Sequence, residues 1–185
     1  MRVLGIPGSV RQDSHNRKLL RAAAAALPSG VELELWERLD ALPHFDEDLE
    51  AGPAPAPVQE LRDAIAAADA VLIATPEYNA GIPGVLKNAL DWASRPFATH
   101  PLRGKPVAVV GASTGLFGAV WAQAEVRRVA AHIGADVLER ELPLGLADGA
   151  FDAGGLLADP GQAEALAAVL DELAGRVRER VPETA

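Results

Sequence analysis

Apolar positions follow two alternating periods along this chain. Short runs suited to strands are Val3-Leu4-Gly5-Ile6, Val31 to Trp36, Ala70 to Ala74 and Val107 to Val110. Between them lie longer stretches in which apolar residues recur every three or four positions, the period of a helix with one buried face. From about Asn16 to Leu27 that face carries Leu19, Leu20, Ala23, Ala24 and Leu27. A second stripe is Val58, Leu61, Ile65 and Ala68; a third, with Pro83 as its first helical residue, is Val85, Leu86, Ala89, Leu90 and Ala93. Further helices are predicted from about Phe117 to Ile133 and after Pro160, where Ala163, Leu166, Val169, Leu170 and Leu173 align. The run Val31 to Trp36 alternates apolar and charged residues, as a strand near a sheet edge does, whereas Ala70–Ala74 and Val107–Val110 are continuously apolar. Such runs suit central parallel strands covered on both faces. A weak fifth strand is expected near Val137 to Leu142, a loop from Pro43 to Pro57, and a charged, fraying tail from about Arg176.

Strict alternation of strand and helix predicts an α/β fold: a flavodoxin-like, doubly wound, five-stranded parallel sheet of order 2-1-3-4-5 with helices on both faces. No repeat or low-complexity linker divides the chain, so residues 1–185 are expected to form a single domain. Sheets of this kind bind ligands beyond the carboxyl ends of their strands, where the strand order reverses. That makes the loops after strands one, three and four the candidate site.

Composition narrows the chemistry. Seventeen Lys and Arg against 26 Asp and Glu give a net charge of −9, so neither a nucleic acid nor an anionic membrane is an expected partner. Aromatic residues at 4% are too few for a base-stacking platform. With no cysteine, disulfides, zinc ribbons, iron–sulfur clusters and thiolate nucleophiles are excluded. Chemistry must then come from hydroxyls, carboxylates, imidazoles, a metal or a borrowed cofactor. The acidic run Asp46-Glu47-Asp48-Leu49-Glu50 beside His44 lacks calcium-loop spacing and reads as a solvated loop, so no metal is expected. The longest apolar run, Ala22 to Leu27, is far below membrane-spanning length, and a cytoplasmic location is expected.

The first loop, Gly8-Ser9-Val10-Arg11-Gln12-Asp13-Ser14-His15-Asn16, enters a helix. Ser9, Ser14 and Asn16 offer neutral donors and Arg11 a charged one, at a helix N-terminus that already favours an anion. Phosphate binding is the reading, with helix capping by Ser14 or Asn16 as its plainer part. The loop is no Walker motif, since Gly104-Lys105 precedes a strand. The second loop, Thr75-Pro76-Glu77-Tyr78-Asn79-Ala80-Gly81-Ile82-Pro83, has a path fixed by its prolines and holds the chain's only tyrosine. It can present backbone groups and a ring to a flat heteroaromatic, or merely turn into the next helix. The third, Gly111-Ala112-Ser113-Thr114-Gly115-Leu116-Phe117-Gly118, contains G-x-S-x-G in a strand–turn–helix setting. A serine hydrolase built on Ser113 would need an acid and a histidine, yet the only later histidine is His132 and the only carboxylate between them is Glu125. Close approach to a ligand edge, with Ser113 and Thr114 as donors, fits better. Trp92 reads as a core anchor, and Arg95 as either a helix-end cap or a contact for an anionic substrate.

Taken together, Gly8-Ser9-x-Arg11-x-x-Ser14-x-Asn16, Thr75-Pro76-Glu77-Tyr78-Asn79 running into Pro83-Gly84-Val85-Leu86-Lys87-Asn88-Ala89-Leu90-Asp91-Trp92, and Gly111-Ala112-Ser113-x-Gly115-x-x-Gly118 resemble the NADPH-dependent FMN reductase family over roughly residues 2 to 140. The resemblance implies FMN phosphate at Ser9, Arg11, Ser14 and Asn16. It implies the isoalloxazine against Pro76, Glu77, Tyr78 and Asn79, with Ser113, Thr114 and Gly115 on the other side. No side chain is then needed as an acid or base, because the flavin carries the hydride chemistry from NADPH or NADH to a quinone, flavin, azo or metal-oxyanion acceptor. Tyr78 would wall the acceptor slot. A homo-oligomer, dimer or tetramer, with the flavin near the interface is also implied. Ala80-Gly81 departs from the bulkier or hydroxylated residues frequent there, and Leu146 to Pro160 matches no part of the pattern. The alternative from another class is a flavodoxin-type electron carrier, which the −9 charge also suits.

Overall fold

The computed structural model describes residues 1–180. Strand β1 (Arg2–Pro7) leads into helix α1 (His15–Ala25), edge strand β2 (Glu32–Leu35), a short helix α2 (Glu47–Glu50) and helix α3 (Ala56–Ala67). Strand β3 (Ala70–Thr75), helix α4 (Gly84–Ala93), strand β4 (Pro106–Ala112) and helix α5 (Val120–His132) follow. The chain closes with the two-residue strands β5 (Asp136–Val137) and β6 (Pro143–Leu144) and the long helix α6 (Pro160–Arg180).

The sheet is parallel with the order β2-β1-β3-β4-β5, and β6 also pairs with β4. The predicted order is therefore the observed one. Period-two alternation explains how two cores arise from single strands. In β3, Leu72 joins Leu19, Leu20, Leu166 and Leu170 under α1 and α6, while Val71 and Ile73 face Leu61, Ile65, Leu86 and Trp92 under α3 and α4. Every residue of β3 and β4 is buried, whereas β2 alternates exposed and half-buried positions, as its edge place requires. Trp92 is fully buried, and its indole N–H donates to the Pro43 carbonyl at 2.8 Å.

The structure revises four expectations. The fifth strand is broken: only Asp136–Val137 and Pro143–Leu144 form strand pairs, and between them the Leu142 amide donates to Gln123 of α5 while its carbonyl accepts the Gly111 amide of β4. The acidic run is no open loop but the turn α2, whose cap Asp46 accepts the Asp48 amide at 2.8 Å. Pro83 lies one residue before α4, as its N-cap. Of the tail expected from Arg176, the described part continues α6 to Arg180, with Arg176 paired to Asp136 at 2.7 Å; residues 181–185 lie outside the described residues.

His100, between α4 and β4, is only 3% exposed, and neither ring nitrogen has a hydrogen-bond partner. Burial pushes its pKa below the usual 6.5, with Arg103 adding to the shift, the Ile133 backbone opposing it and Arg95 adding further. The unfolded chain therefore takes up this proton more readily than the folded one. Stability from His100 is complete above about pH 6.5 and is lost as pH falls below that value. Denaturant titrations between pH 7.5 and about 5 should show that loss reduced in His100→Phe.

Candidate functional site

Loops after β1, β3 and β4 meet at the carboxyl end of the sheet around an open cleft of about 280 Å³. Ser9, Arg11, Ser14, His15, Asn16, Pro76, Glu77, Tyr78, Ala112, Ser113 and Thr114 line it. Of the residues predicted from sequence, Asn79 and Gly115 are the two outside this lining.

The first loop is pressed against the end of β3. The Gly8 amide donates to the Ala74 carbonyl at 2.7 Å, and a Cβ on Gly8 would lie 2.8 Å from Leu86 and 3.1 Å from the Ala74 oxygen. Ser9, buried, accepts the Arg11 amide at 3.3 Å and so bends the chain over the cleft. Ser14 is the N-cap of α1: its hydroxyl accepts the Arg17 amide and its carbonyl the Lys18 amide. The first-turn amides of His15 and Asn16 then have no intrahelical acceptor and stand at the anion-favouring end of the helix. Arg11 is exposed and has no ion pair among the described residues. Arg17 braces the loop from below, donating to the carbonyls of Arg11 and Gln12 while pairing with Glu37.

Asn16 does something its motif position does not announce. Its amide N–H donates to the Ala112 carbonyl and its amide oxygen accepts the Ala112 N–H, both at 2.9 Å and both buried. The side chain is thus spent on tying the first loop to the third; toward an anion, Asn16 offers only its backbone N–H.

In the second loop, Tyr78 and Gly81 exchange backbone hydrogen bonds of 3.3 and 3.1 Å. Asn79 and Ala80 between them have φ of 53° and 59°, the two-residue turn with both central residues left-handed. This tight hairpin carries Tyr78 outward, 55% exposed, as one wall of the cleft. Asn79 sits at the tip. The Glu77 carboxylate accepts the Ala122 amide of α5 at 3.0 Å.

The third loop is backed by the segment that sequence left unassigned. Ser113 donates its amide to the Leu144 carbonyl, and the carbonyls of Ser113 and Gly115 accept the amides of Ala147 and Leu146, at 3.0 to 3.1 Å. Buried Gln123 adds a bond to the Gly118 carbonyl at 2.9 Å. Gly118, at φ 57°, leaves no room for a side chain: its Cβ would fall 2.3 Å from the Pro143 carbonyl carbon. Gly118→Ala should cost about 3 kcal/mol, a drop in melting temperature of about 10 °C by calorimetry.

A hydrolase reading finds no geometry. The Ser113 hydroxyl donates weakly to the Gly115 carbonyl at 3.4 Å, and His132 lies at the far end of α5, about 20 Å along the helix axis. His15, which does line the cleft, points Nε2 at Asp148, 3.1 Å away. Arg95 lies over the Phe45 ring with Glu50 at 3.7 Å, outside the cleft. Among the described residues, no group of three or more His, Asp or Glu could hold a metal.

Comparison with known proteins decides the family. The model of the NADPH-dependent FMN reductase family matches residues 1–148. The chain belongs to that family. It is 44% identical over 160 residues to an NAD(P)H-dependent FMN reductase of Pseudomonas aeruginosa, covering 86% of this chain and 85% of that one. It is 35% identical over 181 residues to a 2-hydroxy-1,4-benzoquinone reductase of a Burkholderia species, covering 97% and 98%. Among solved structures, FerB of Paracoccus denitrificans, a flavoenzyme NAD(P)H:(acceptor) oxidoreductase, superposes with a TM-score of 0.85 at 36% identity over 96% of this chain and 97% of that one.

The donor set fits an FMN. An exposed arginine with no ion pair among the described residues, two serines and the helix turn with open amides line the same cleft as the tyrosine-bearing hairpin. Sequence missed Arg17 and Gln123 because neither carries a motif signal: each acts on backbone groups of a loop it does not belong to.

Proposed function

We infer that this family member is an NAD(P)H-dependent FMN oxidoreductase that reduces quinones. The single observation that carries the reading is the joining of the three loops around one cleft, which brings donors for a phosphate and a tyrosine wall for a ring into one lining. FMN, when bound, supplies a ring that accepts hydride and passes electrons on; the protein supplies binding, orientation and exclusion of side reactions. Ser9, Arg11, Ser14 and the amides of His15 and Asn16 hold the phosphate. Pro76, Glu77, Tyr78 and Asn79 border the ring system through the hairpin backbone and the Tyr78 ring, and Ser113, Thr114 and Gly115 close the opposite side. With an open slot beside Tyr78, flat acceptors such as quinones can reach the flavin edge; free flavins, azo compounds and metal oxyanions meet the same opening.

The protein acts as a homo-oligomer in the cytoplasm. What supports the first part is an apolar surface beside the cleft: Tyr78, Leu116, Phe117 and Trp121 are each more than half exposed, and the Phe117 and Trp121 rings pack edge to face with centroids 5.2 Å apart. A second copy of the chain is the occupant this reading assigns to that surface. Supporting the second part, no helix among the described residues is long and apolar enough to cross a membrane. Sedimentation equilibrium should show a dimer or tetramer, reduced to monomer by the pair Phe117→Asp and Trp121→Glu.

Steady-state assays test the activity. Purified protein supplied with FMN should consume NADPH or NADH continuously in the presence of 1,4-benzoquinone. A protein that binds FMN but shows no sustained nicotinamide oxidation with any small acceptor would instead be an electron carrier.

A further inference from the structure

Glu125 lies in the second turn of α5, outside every motif, yet its carboxylate reaches across to the second loop. Its Oε2 accepts the amide of Ile82 at 2.9 Å, the residue directly after the Tyr78–Gly81 hairpin. From the other side of the hairpin, Glu77 Oε2 accepts the amide of Ala122 at 3.0 Å. That amide belongs to the first turn of α5, whose N-cap, Ala119, has no side chain able to serve it. The two bonds run in opposite directions, loop to helix and helix to loop, and they bracket the hairpin between them.

The hairpin needs such support. Asn79 and Ala80 both adopt the left-handed conformation that L residues disfavour, in a turn joined internally by backbone bonds of 3.3 and 3.1 Å. Gly81 is matched to the carboxylate: a Cβ there would stand 3.3 Å from Glu125 Oε2. The departure at Ala80-Gly81 therefore has a local physical counterpart, since the space a larger residue would take is partly occupied by Glu125. Other charged contact to Glu125 is weak, Arg128 standing 3.9 Å from Oε1 and largely exposed.

We propose that Glu125, acting with Glu77, is a positioning residue that clamps the Tyr78 hairpin and so sets the width of the acceptor slot. The inference rests on the flavin-site reading for its kinetic consequence and on the two carboxylate bonds alone for its structural one. Glu125 touches neither flavin nor acceptor; it acts through Tyr78.

The test uses the full chain and compares Glu125→Ala, which removes the acceptor for the Ile82 amide, with Glu125→Gln, whose amide oxygen still accepts it. Hydrogen exchange of a peptide covering residues 77–82 should be about tenfold faster in Glu125→Ala and near wild type in Glu125→Gln. With FMN-loaded protein, KM for 1,4-benzoquinone should rise about tenfold in Glu125→Ala, while the rate of flavin reduction by NADPH stays within about twofold, and Glu125→Gln should recover the quinone KM. Unchanged exchange in Glu125→Ala overturns the clamp. Faster exchange with an unchanged quinone KM overturns the positioning role. A wild-type protein that does not turn over would defeat the functional reading, and the exchange measurement would still decide the clamp.

Discussion

Arg11→Ala is expected to weaken FMN binding by about 10- to 100-fold while leaving riboflavin binding within about twofold of wild type. The two ligands share the ring and the ribityl chain and differ in the phosphate, so their ratio isolates the anion site. Arg11 is exposed, has no ion pair among the described residues, and lines the same cleft as His15 and Asn16, whose amides have no intrahelical acceptor. A guanidinium there meets phosphate oxygens with charge-assisted hydrogen bonds, the strongest class available to this cleft. Lysine in its place should recover part of the affinity, since charge is kept and the planar fork is lost. Fluorescence titration with each flavin measures the ratio; equal loss for both would remove the phosphate from this loop.

Asn16→Ala is expected to be more damaging to the protein as a whole. It removes two buried hydrogen bonds and leaves the Ala112 N–H and carbonyl unpaired in the interior. Each orphaned group costs about 1–3 kcal/mol, so destabilisation of about 3–5 kcal/mol should appear in denaturant midpoints at constant m-value. Because Ala112 ends β4 and precedes Ser113, the third loop should also lose its register against the first. FMN and riboflavin affinity should then fall together, in contrast to Arg11→Ala. Asn16→Asp separates the two bonds: the carboxylate can still accept the Ala112 N–H but repels its carbonyl, so stability should fall nearly as far.

The contrast between these two residues shows what the sequence could and could not convey. β3 and β4 were legible because burial on both faces leaves an uninterrupted apolar run, and the strand order follows from alternation and handed crossovers. Ser14 was legible as the start of α1, with Ser9 and Arg11 in the loop before it, because a helix cap is a local fact. Asn16 was placed in the right loop with the wrong side-chain partner, since Ala112 lies 96 residues away in sequence and backbone acceptors carry no residue signature. Glu125 was weighed only as a poor triad acid for the same reason: its partner, Ile82, is 43 residues distant. The break in the fifth strand leaves no mark on the periodicity, since a bond such as that of the Leu142 amide to Gln123 of a helix carries no sequence signature. Residues 146 and 147 resisted assignment because their work is done by backbone amides that hold the Ser113–Gly115 loop in place.

The proposed function requires that FMN bind in this cleft, take hydride there from a reduced nicotinamide and give its electrons to a quinone. Anaerobic mixing of FMN-loaded protein with a small excess of NADPH, followed by visible absorbance, tests it most directly. The bound flavin should bleach in a single fast phase, and 1,4-benzoquinone, added next, should restore its colour. Protein that fails to retain FMN, or whose bound flavin stays oxidised in the presence of both NADPH and NADH, would contradict it.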